Sequence, residues 1–494
     1  MISSGIGHRG SNSQLVMLSK EEFQTRFCRQ IPFVPTQGQE TAISMLSEFV
    51  TMPQTNALFV LKGYAGTGKT TLVSALVKTL NQLRQRVVLL APTGRAAKVF
   101  SVYSGNKAFT IHKHIYRVQM QEGMLHFSRK ENKLNNTLFI VDEVSMISDS
   151  QQRSDLFSSR SVLDDLINFV FEGSQNKLLF IGDDAQLPPV HADESPALQI
   201  DYLRHSFNLN LSTCQLTDVV RQALDSGILY NANQLRNKLR YQDYGFPFFC
   251  EENFPDFQRI SGATLEDELN TLYNHYDHDE IVTITRSNKR AFMFNSEIRN
   301  RILFRENQIA AGDYLMAVKN NYYWVDEGSE VGFIANGDIM EILAINKIQE
   351  IYGFHFADVT VRLCDYPQYP NIDVKLILES LDCEAASLTQ EDSNRLYQEV
   401  SMDYQDIANK RLRYLKIKND PFLNAVQVKF AYSLTCHKTQ GGQWKVVFVD
   451  QGYLPDDAVD KEFVRWLYTA LTRATEKVYL INFKEEMFEK NRGE

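Results

Sequence analysis

An eight-residue glycine-rich segment constrains the fold of this chain more than any other feature. Residues 63–70 read Gly-Tyr-Ala-Gly-Thr-Gly-Lys-Thr, and they lie between an apolar run and a predicted helix. In that context the pattern GxxxxGK[ST] is typical of a phosphate-binding loop, because glycines allow backbone N–H groups to surround phosphate oxygens. The N-terminus of the following helix adds partial positive charge. The segment therefore predicts an α/β domain that binds a nucleotide.

The same pattern assigns roles within the loop. Lys69 is predicted to neutralise the β- and γ-phosphates, and Thr70 is predicted to hold Mg²⁺. ATP and Mg²⁺ are the expected cofactors. The predicted nucleotide-binding residues of this segment are Gly63, Ala65, Gly66, Thr67, Gly68, Lys69, Thr70 and Thr71.

Two other polar segments also begin where apolar runs end. Asp142 and Glu143 directly follow the run Leu138–Val141. Asp142 suits a contact to Mg²⁺, and Glu143 suits the base that activates an attacking water molecule, so the pair favours hydrolysis over phosphoryl transfer to a metabolite. Gln186 follows the next apolar run and is expected to reach the γ-phosphate.

Short apolar runs recur along the chain and predict buried parallel strands. The early runs are Ala57–Leu61, Val87–Leu90, Leu138–Val141 and Leu178–Ile181, and the late runs are Ile281–Ile284, Lys429–Leu434, Val446–Val449 and Val478–Ile481. Because 494 residues are too many for one core, the runs predict two α/β domains with parallel sheets flanked by helices.

Two segments break the α/β pattern and are predicted to be insertions. Residues 113–136 contain a hairpin that turns near Glu122 and Gly123. The later segment contains alternating strands at Asp358–Leu363 and Asp373–Leu378, followed by a helix from about Thr389 to Ile417. Leu396, Val400, Tyr404 and Ile407 form the apolar stripe of that predicted helix.

Composition limits the class of protein. A charged fraction of 23% with 31 Phe and 22 Tyr excludes a mainly disordered chain. The net charge of −9 argues against a basic surface that coats nucleic acid, although it permits binding in a local cleft. No apolar signal-peptide core or membrane-spanning run is present in the sequence, so we expect a cytoplasmic protein that has no contact with membranes.

Eleven motifs occur in an order that resembles superfamily 1B DNA helicases of the RecD, Dda and yeast Pif group. An ordered set of this kind is far more specific than any single motif, and it covers nearly the whole chain. The motifs are Thr36-x-x-Gln39, GYAGTGKT, APTGRAA (Ala91–Ala97), Thr110-Ile-His112, VDEVSM, GDDAQLPP, Val220-Arg221-Gln222, Thr285-x-x-Asn288, Asn336-Gly-Asp338, AYSLTCHKTQGGQW (Ala431–Trp444) and YTALTRA (Tyr468–Ala474).

The resemblance implies roles for residues outside the phosphate-binding loop. Gln39 matches the glutamine that reads adenine, and Arg221 and Arg473 match arginines that contact the γ-phosphate. Gln440 and Gly441 complete the implied nucleotide set, with Gln440 linking DNA contact to the nucleotide. The implied catalytic set is Lys69, Asp142, Glu143, Gln186, Arg221 and Arg473. The implied DNA-facing residues are Pro92, Thr93, Thr110, His112, Asn288, Thr435, His437 and Lys438.

The resemblance also implies a domain layout. An N-terminal segment (1–30) precedes a RecA-like domain (31–270), and a second RecA-like domain is formed by residues 271–339 and 429–494. The hairpin at 113–136 corresponds in position to a strand-separating pin, with Phe127, or as second choice Met124, stacking on the last base pair. Packing of Phe127 within its own domain is the alternative. Residues 340–428 correspond to an SH3-like and helical insertion.

The function implied by the resemblance is ATP-dependent movement along single-stranded DNA in the 5′-to-3′ direction, with unwinding of duplex DNA by a monomer. Single-stranded DNA and tailed duplex DNA are the expected partners, in repair or replication. Three alternatives remain open at this point. They are a translocase or protein-displacing motor that does not unwind, a nucleotide-dependent interaction switch, and RNA as the substrate, since backbone contacts discriminate poorly between polymers.

Overall fold

The computed structural model describes residues 18–121, 124–148, 161–218, 225–252, 254–326, 329, 331–455 and 459–488. The described strands form two parallel sheets, one closed barrel and one hairpin. Within the described ranges, no helix is both long enough and apolar enough to cross a membrane.

The elements are numbered in chain order. The helices are α1 (Lys20–Arg29), α2 (Gln37–Thr51), α3 (Lys69–Gln82), α4 (Gly94–Ser104), α5 (Ile111–Ile115), α6 (Val162–Glu172), α7 (Ile200–Phe207), α8 (Gly227–Tyr241), α9 (Leu265–Tyr273), α10 (Asn288–Glu297), α11 (Glu379–Asp382), α12 (Gln390–Met402), α13 (Lys410–Lys418), α14 (Cys436–Thr439) and α15 (Lys461–Leu471). The strands are β1 (Ala57–Gly63), β2 (Arg86–Ala91), β3 (Ala108–Thr110), β4 (Tyr116–Gln121), β5 (Met124–Arg129), β6 (Thr137–Val141), β7 (Lys177–Gly182), β8 (Asn210–Leu216), β9 (Phe257–Ile260), β10 (Ile281–Thr285), β11 (Tyr314–Ala317), β12 (Ile339–Ile351), β13 (Phe354–Leu363), β14 (Ile372–Ile377), β15 (Val426–Phe430), β16 (Ser433–Thr435), β17 (Trp444–Asp450) and β18 (Ala474–Ile481).

The first sheet is parallel and has the order β3-β2-β6-β7-β1-β8. Its strand β1 is buried on both faces, since Leu58 and Val60 pack into one core and Phe59 and Leu61 into another. Side chains alternate between the two faces of a strand, so a continuous apolar run is what such a position requires. The four strands predicted from early apolar runs are therefore confirmed.

The second sheet is also parallel, with the order β16-β10-β17-β18-β9. The prediction of one strand over Lys429–Leu434 is wrong, because the chain leaves the barrel strand β15 and enters the sheet strand β16 within this run. Tyr432 lies between the two strands and is buried, and its hydroxyl donates to Asp313 at 2.9 Å. An apolar run does not reveal such a change of sheet, since both strands are buried.

The barrel consists of β11, β12, β13, β14 and β15. It begins at Tyr314, so it includes residues that the sequence-based layout placed in the second RecA-like domain, before position 340. The helical stripe is correct at Leu396 and Val400, which are buried in α12. It is wrong at Tyr404 and Ile407, which lie between α12 and α13.

A new helix cap explains this interruption. Asn409 accepts hydrogen bonds from the backbone N–H groups of Arg411 and Leu412, and it therefore starts a separate helix. Between the helices, the Tyr404 hydroxyl donates to Asp420 at 2.7 Å, and Arg413 Nε donates to the Ile407 carbonyl at 2.9 Å. The helical spacing of apolar residues in the sequence therefore extends past the end of α12 at Met402.

Two elements before position 270 pack with the second sheet. Strand β9 pairs with β18, and Ile228 and Leu235 of α8 share a core with Val447 and Leu467. The sequence-based layout assigned both elements to the first domain. Their apolar patterns identify them as core elements, but such a pattern does not specify which of two cores receives a helix or an edge strand.

The predicted hairpin is present as the antiparallel pair β4 and β5, with Tyr116 opposite Arg129. Its turn at residues 122–123 lies outside the described residues. The side chains of the pin candidates Phe127 and Met124 are likewise outside what is described, although both residues belong to β5.

Candidate nucleotide site and nucleic-acid interface

The phosphate-binding loop connects β1 to α3. Gly66 and Gly68 have φ values of 74° and 81°, a left-handed conformation that glycine adopts without steric cost. Lys69 Nζ donates to the carbonyl oxygens of Gly63 and Tyr64, the second at 2.9 Å. These acceptors hold the ammonium group over the loop, where phosphate oxygens would replace them.

Gln39 anchors this loop to α2. Its Nε2 donates to the Thr67 carbonyl at 2.9 Å, and its Oε1 accepts from the Thr36 backbone N–H at 3.0 Å. Thr36 Oγ1 in turn accepts from the Gln39 backbone, which completes a capping box. Both polar atoms of the Gln39 amide are thus engaged by protein, and the side chain fixes the loop that the nucleotide would contact.

The acid pair lies at the carboxyl end of β6. Asp142 accepts hydrogen bonds from the Tyr103 hydroxyl at 2.5 Å and from the Glu143 backbone N–H at 2.8 Å. Burial raises the pKa values of both Asp142 and Glu143, while the positive charge of Arg473 opposes the rise at Glu143. A base with a raised pKa is suited to accepting a proton from water.

Gln186 contacts this acid pair from the loop after β7. Its side-chain amide donates a hydrogen bond to Glu143, which lowers the pKa of Glu143 against the effect of burial. Its Oε1 is buried, and no hydrogen-bond partner for it is found in the described part of the chain. A buried unpaired acceptor is costly unless a ligand or water satisfies it. This acceptor beside a candidate base fits an attacking water molecule.

Arg473 reaches the site from the second half of the chain. The residue is buried, and its Nε donates to the Thr469 carbonyl at 3.1 Å and its Nη1 to the Gly442 carbonyl at 3.3 Å. Its positive charge lowers the pKa of Glu143 against the effect of burial, and Thr469, to which Arg473 is hydrogen-bonded, contacts the loop that contains Gln186. The other predicted arginine, Arg221, lies outside the described residues.

Three residues of α15 to which the sequence analysis gave no role join the two halves of the molecule, which are built around the first and the second sheet. The Tyr468 hydroxyl contacts the phosphate-binding loop and Asp183, Thr469 Oγ1 accepts from the Leu187 backbone N–H at 2.8 Å, and Arg465 donates to backbone carbonyls. Positions 465, 468 and 469 have the spacing of one helix face. Tyr468 and Thr469 also begin the motif YTALTRA, but neither the motif nor the spacing shows which groups their hydroxyls contact.

Thr70 and Asp142 are the candidate magnesium ligands. A threonine hydroxyl and a carboxylate beside phosphate oxygens match the ligands that Mg²⁺ takes in nucleotide sites, where few protein groups contribute. Among the described residues no cluster of three or more His, Cys, Asp or Glu side chains has metal-site geometry. The donor set fits a metal held jointly with a nucleotide.

The DNA-facing candidates of the first half lie at neighbouring strand ends. Ala91 of β2 pairs with Thr110 of β3, so Pro92 and Thr93 follow one strand where His112 follows the other. The hydroxyls of Thr93 and Thr110 cap α4 and α5. Burial lowers the pKa of His112 to about 4, so its imidazole is neutral at pH 7.

The candidates of the second half are arranged in the same way. Thr285 of β10 pairs with Thr435 of β16, which brings Asn288 near the segment that contains His437 and Lys438. Asn288 is exposed, and Lys438 Nζ donates to Asn336 Oδ1 at 2.8 Å. Burial lowers the pKa values of His437 and Lys438. Each sheet thus presents its polar candidates at the carboxyl ends of adjacent strands.

The residues after Lys438 bring the two halves into contact. Gln440 Nε2 donates to the Leu187 carbonyl at 2.6 Å, which links this segment to the loop that contains Gln186. Gly441 has a φ of 72°, and a Cβ atom there would lie 2.7 Å from the Cβ of Ala96. Gly441 therefore lies where the DNA-facing segments of the two halves meet, and a side chain would separate them.

We expect Gly441→Ala to weaken binding of a single-stranded oligonucleotide about tenfold, the scale of overpacking a tight contact. The matched control is Gly353→Ala, because Gly353 also has a φ of 72° but no atom lies within 4 Å of its Cβ position. The control incurs only the backbone strain, about 1 kcal/mol. Fluorescence anisotropy measures both affinities, and equal affinities would show that the close approach has no role.

Comparison with known proteins agrees with this arrangement. Residues 36–241 match the AAA domain family, and residues 430–481 match the UvrD-like helicase C-terminal domain. The chain is 24% identical over 481 residues to the ATP-dependent DNA helicase dda of Enterobacteria phage T4, covering 90% of this chain and 99% of that protein. It is 34% identical over 179 residues to the ATP-dependent RecD2 DNA helicase of Deinococcus radiodurans, covering 36% of this chain and 21% of that protein.

A solved structure of Bacteroides Pif1 bound to ssDNA is 16% identical, with a TM-score of 0.44 over 93% of this chain and 95% of that chain. The AAA match contains the phosphate-binding loop and the acid pair, and the UvrD-like match contains Gln440 and Arg473. The similarity to dda extends along nearly the full length of both proteins. These matches confirm the resemblance of the chain to superfamily 1B helicases of the RecD, Dda and Pif group.

Proposed function

We propose that this protein is an ATP-dependent DNA helicase that moves 5′ to 3′ along single-stranded DNA and unwinds duplex DNA. The observation that carries the proposal is the docking of α15, to which Arg473 is hydrogen-bonded, on the phosphate-binding loop and on Asp183 beside Lys69. A hydrolysis site completed by two halves couples each ATP turnover to their relative movement.

Each residue has a defined part in hydrolysis. Lys69 binds the β- and γ-phosphates, and Glu143 accepts a proton from the water that Gln186 Oε1 orients. Arg473 stabilises the negative charge that develops on the transferred phosphoryl group. Arg221 is proposed to contact the γ-phosphate as well. Thr70 and Asp142 would hold Mg²⁺, which neutralises phosphate charge when bound.

The DNA strand is proposed to cross the carboxyl ends of both sheets. Thr93 and His112 contact it on the first sheet, and Thr435 and His437 on the second. Hydroxyl, amide and imidazole groups bond phosphate oxygens without reading base sequence, as a motor on arbitrary DNA requires. Opening and closing of the nucleotide cleft changes the distance between the DNA contacts of the first sheet and those of the second. If the two sheets bind the strand tightly in turn, each cycle moves the protein along the DNA in one direction.

The hairpin β4–β5 is proposed to separate the strands at the fork, with Phe127, or failing that Met124, stacking on the last base pair. The proposed substrates are single-stranded DNA and tailed duplexes, and the proposed active form is a monomer in the cytoplasm.

The direction and the unwinding are tested together with tailed duplexes. We expect ATP-dependent unwinding of a duplex with a 5′ single-stranded tail, and at most a tenth of that rate with a 3′ tail of equal length and sequence. A fluorophore and quencher pair on the two strands reports separation in real time. A blunt duplex is the control, because it shows whether strands separate without a single-stranded tail to which the protein can bind.

Four outcomes would contradict the proposal. Unwinding from the 3′ tail alone would exclude the proposed direction, and DNA-stimulated hydrolysis without unwinding of either duplex would indicate a translocase. Hydrolysis unaffected by single-stranded DNA or RNA would indicate a nucleotide-dependent switch. Stronger stimulation by RNA than by DNA of the same sequence would identify RNA as the substrate.

A further inference from the structure

The Tyr468 hydroxyl makes two hydrogen bonds across the contact between the halves. The backbone N–H of Ala65, in the phosphate-binding loop, donates to this hydroxyl at 2.7 Å. The hydroxyl itself donates to Asp183 Oδ2 at 2.7 Å. Tyr468 belongs to α15 in the second half, whereas both partners belong to the first. One phenol oxygen therefore connects α15 to the loop and to a carboxylate beside it.

Asp183 extends this connection to the catalytic lysine. Its Oδ2 lies 3.7 Å from Lys69 Nζ, and its Oδ1 accepts from the Ala185 backbone N–H at 3.0 Å. Burial raises the pKa of Asp183, and the charge of Lys69 opposes that rise. The carboxylate is thus held between the ammonium group and the Tyr468 hydroxyl, so a displacement of α15 reaches Lys69 through Asp183.

Neighbouring residues of α15 bind the segment after β7, which also contains Asp183. Arg465 Nη1 donates to the Asp193 carbonyl at 2.6 Å, and its Nη2 donates to the Asp184 carbonyl at 3.1 Å. Thr469 Oγ1 accepts from the Leu187 N–H. Arg465 is 8% exposed and Thr469 is fully buried. Arg465 and Thr469 thus bind backbone groups of the first half. Because backbone groups have fixed positions, these hydrogen bonds form only when α15 is aligned in one way along the segment after β7.

The same helix leads to Arg473. Helix α15 ends at Leu471, and Arg473 Nε donates back to the Thr469 carbonyl. The position of the guanidinium relative to Glu143 is therefore determined by how α15 docks on the first half. Tyr468 is the residue of that docking face that contacts the phosphate-binding loop itself.

We propose that Tyr468 is a positioning residue that sets Arg473 relative to the phosphate-binding loop by joining Ala65 and Asp183 to α15. This inference rests on the proposed function, because it assigns a residue to the same hydrolysis site. The tyrosine acts only when the halves are together, so its hydroxyl couples closure of the cleft to the placement of the arginine. Burial raises the pKa of Tyr468 far above its ordinary value, which keeps the hydroxyl able to donate and accept.

Tyr468→Phe removes the hydroxyl and retains the ring. We expect kcat of hydrolysis stimulated by single-stranded oligothymidine to fall about tenfold, the effect of losing one hydrogen bond to a charged group. The KM for ATP should stay within about twofold, since the hydroxyl acts through Arg473 and not on ground-state binding. Tyr479→Phe is the matched control, because that buried tyrosine donates to Glu268 away from the site. We expect its kinetics to equal those of the unmodified protein.

A double-mutant cycle distinguishes positioning from a general packing effect. If Tyr468 acts through Arg473, Tyr468→Phe should slow an Arg473→Ala protein by less than about twofold, since the pair is then non-additive. A further tenfold loss in the double variant, a single variant within twofold of normal kcat, or a change confined to KM would each overturn the inference.

A loss of folding in Tyr468→Phe must be distinguished from a loss of catalytic positioning. If melting shows that Tyr468→Phe does not fold, Thr469→Val, which removes the contact to the Leu187 N–H, replaces it in the same cycle, with the same kcat loss and non-additivity expected. If the unmodified protein hydrolyses ATP without any stimulation by DNA, the proposed function fails. The cycle is then measured on unstimulated hydrolysis, where additivity would overturn the role of Tyr468 and non-additivity would support it.

Discussion

Lys69→Ala should reduce ATP hydrolysis by about 10²–10³-fold or more, because a preorganised charge that stabilises the transferring phosphoryl group is removed. The loss is expected with and without single-stranded DNA. Binding of an oligonucleotide should remain measurable, since the DNA-facing candidates lie on other strand ends. Steady-state phosphate release measures the first effect and fluorescence anisotropy the second.

Lys78→Ala is the matched control for this experiment. Lys78 belongs to the same helix, α3, but is exposed on its outer surface. Normal turnover in Lys69→Ala would refute the assignment of the nucleotide site. Loss of both hydrolysis and folding would instead be detected by a lowered melting temperature, because Asp183 is left buried without its lysine.

Arg473→Ala should lower DNA-stimulated kcat about 10³-fold, the lower end of the range for arginines that complete a phosphoryl-transfer site. ATP binding should change much less, because the arginine acts on charge that develops in the transition state. Quenched-flow measurement of a single turnover separates the chemical step from product release. Binding of a fluorescent ATP analogue reports the ground state.

The control for this variant is Arg301→Ala. Arg301 belongs to the same half, but 61% of its side chain is exposed and it pairs with Glu266 on the surface. Such a surface pair contributes little to stability. A reduction of less than about threefold in Arg473→Ala would mean that the second half does not complete the site.

The sequence was sufficient for the inner strands of both sheets, such as β1, β6 and β17, and for the residues at the carboxyl ends of β1, β6 and β7. Strands such as β1 and β6 are buried on both faces, so an apolar run identifies them without knowledge of tertiary contacts. The polar residues that follow them must lie at one edge of a parallel sheet. The positions of Lys69, Asp142 and Gln186 near one another follow from that rule.

Contacts between the halves could not be predicted in the same way. Tyr468 and Thr469 read as part of an apolar helix face, and only the tertiary structure shows that their hydroxyls meet Asp183 and the Leu187 N–H. The apolar residues of helix α8 and strand β9 indicate that both elements pack in a core. They do not indicate that this core belongs to the second sheet. Local patterns specify burial, whereas the identity of the partner depends on the whole chain.

The connection between β15 and β16 has a mechanical consequence. Only Ala431 and Tyr432 separate the barrel from the sheet strand that leads to Thr435. Tyr432 is bound to Asp313, and Arg305 Nη1 donates to the Tyr432 hydroxyl at 2.8 Å. This connection is therefore short and is anchored by hydrogen bonds on a buried tyrosine. We therefore expect a displacement of the barrel to be transmitted to β16 and to Thr435, the proposed DNA contact that ends it.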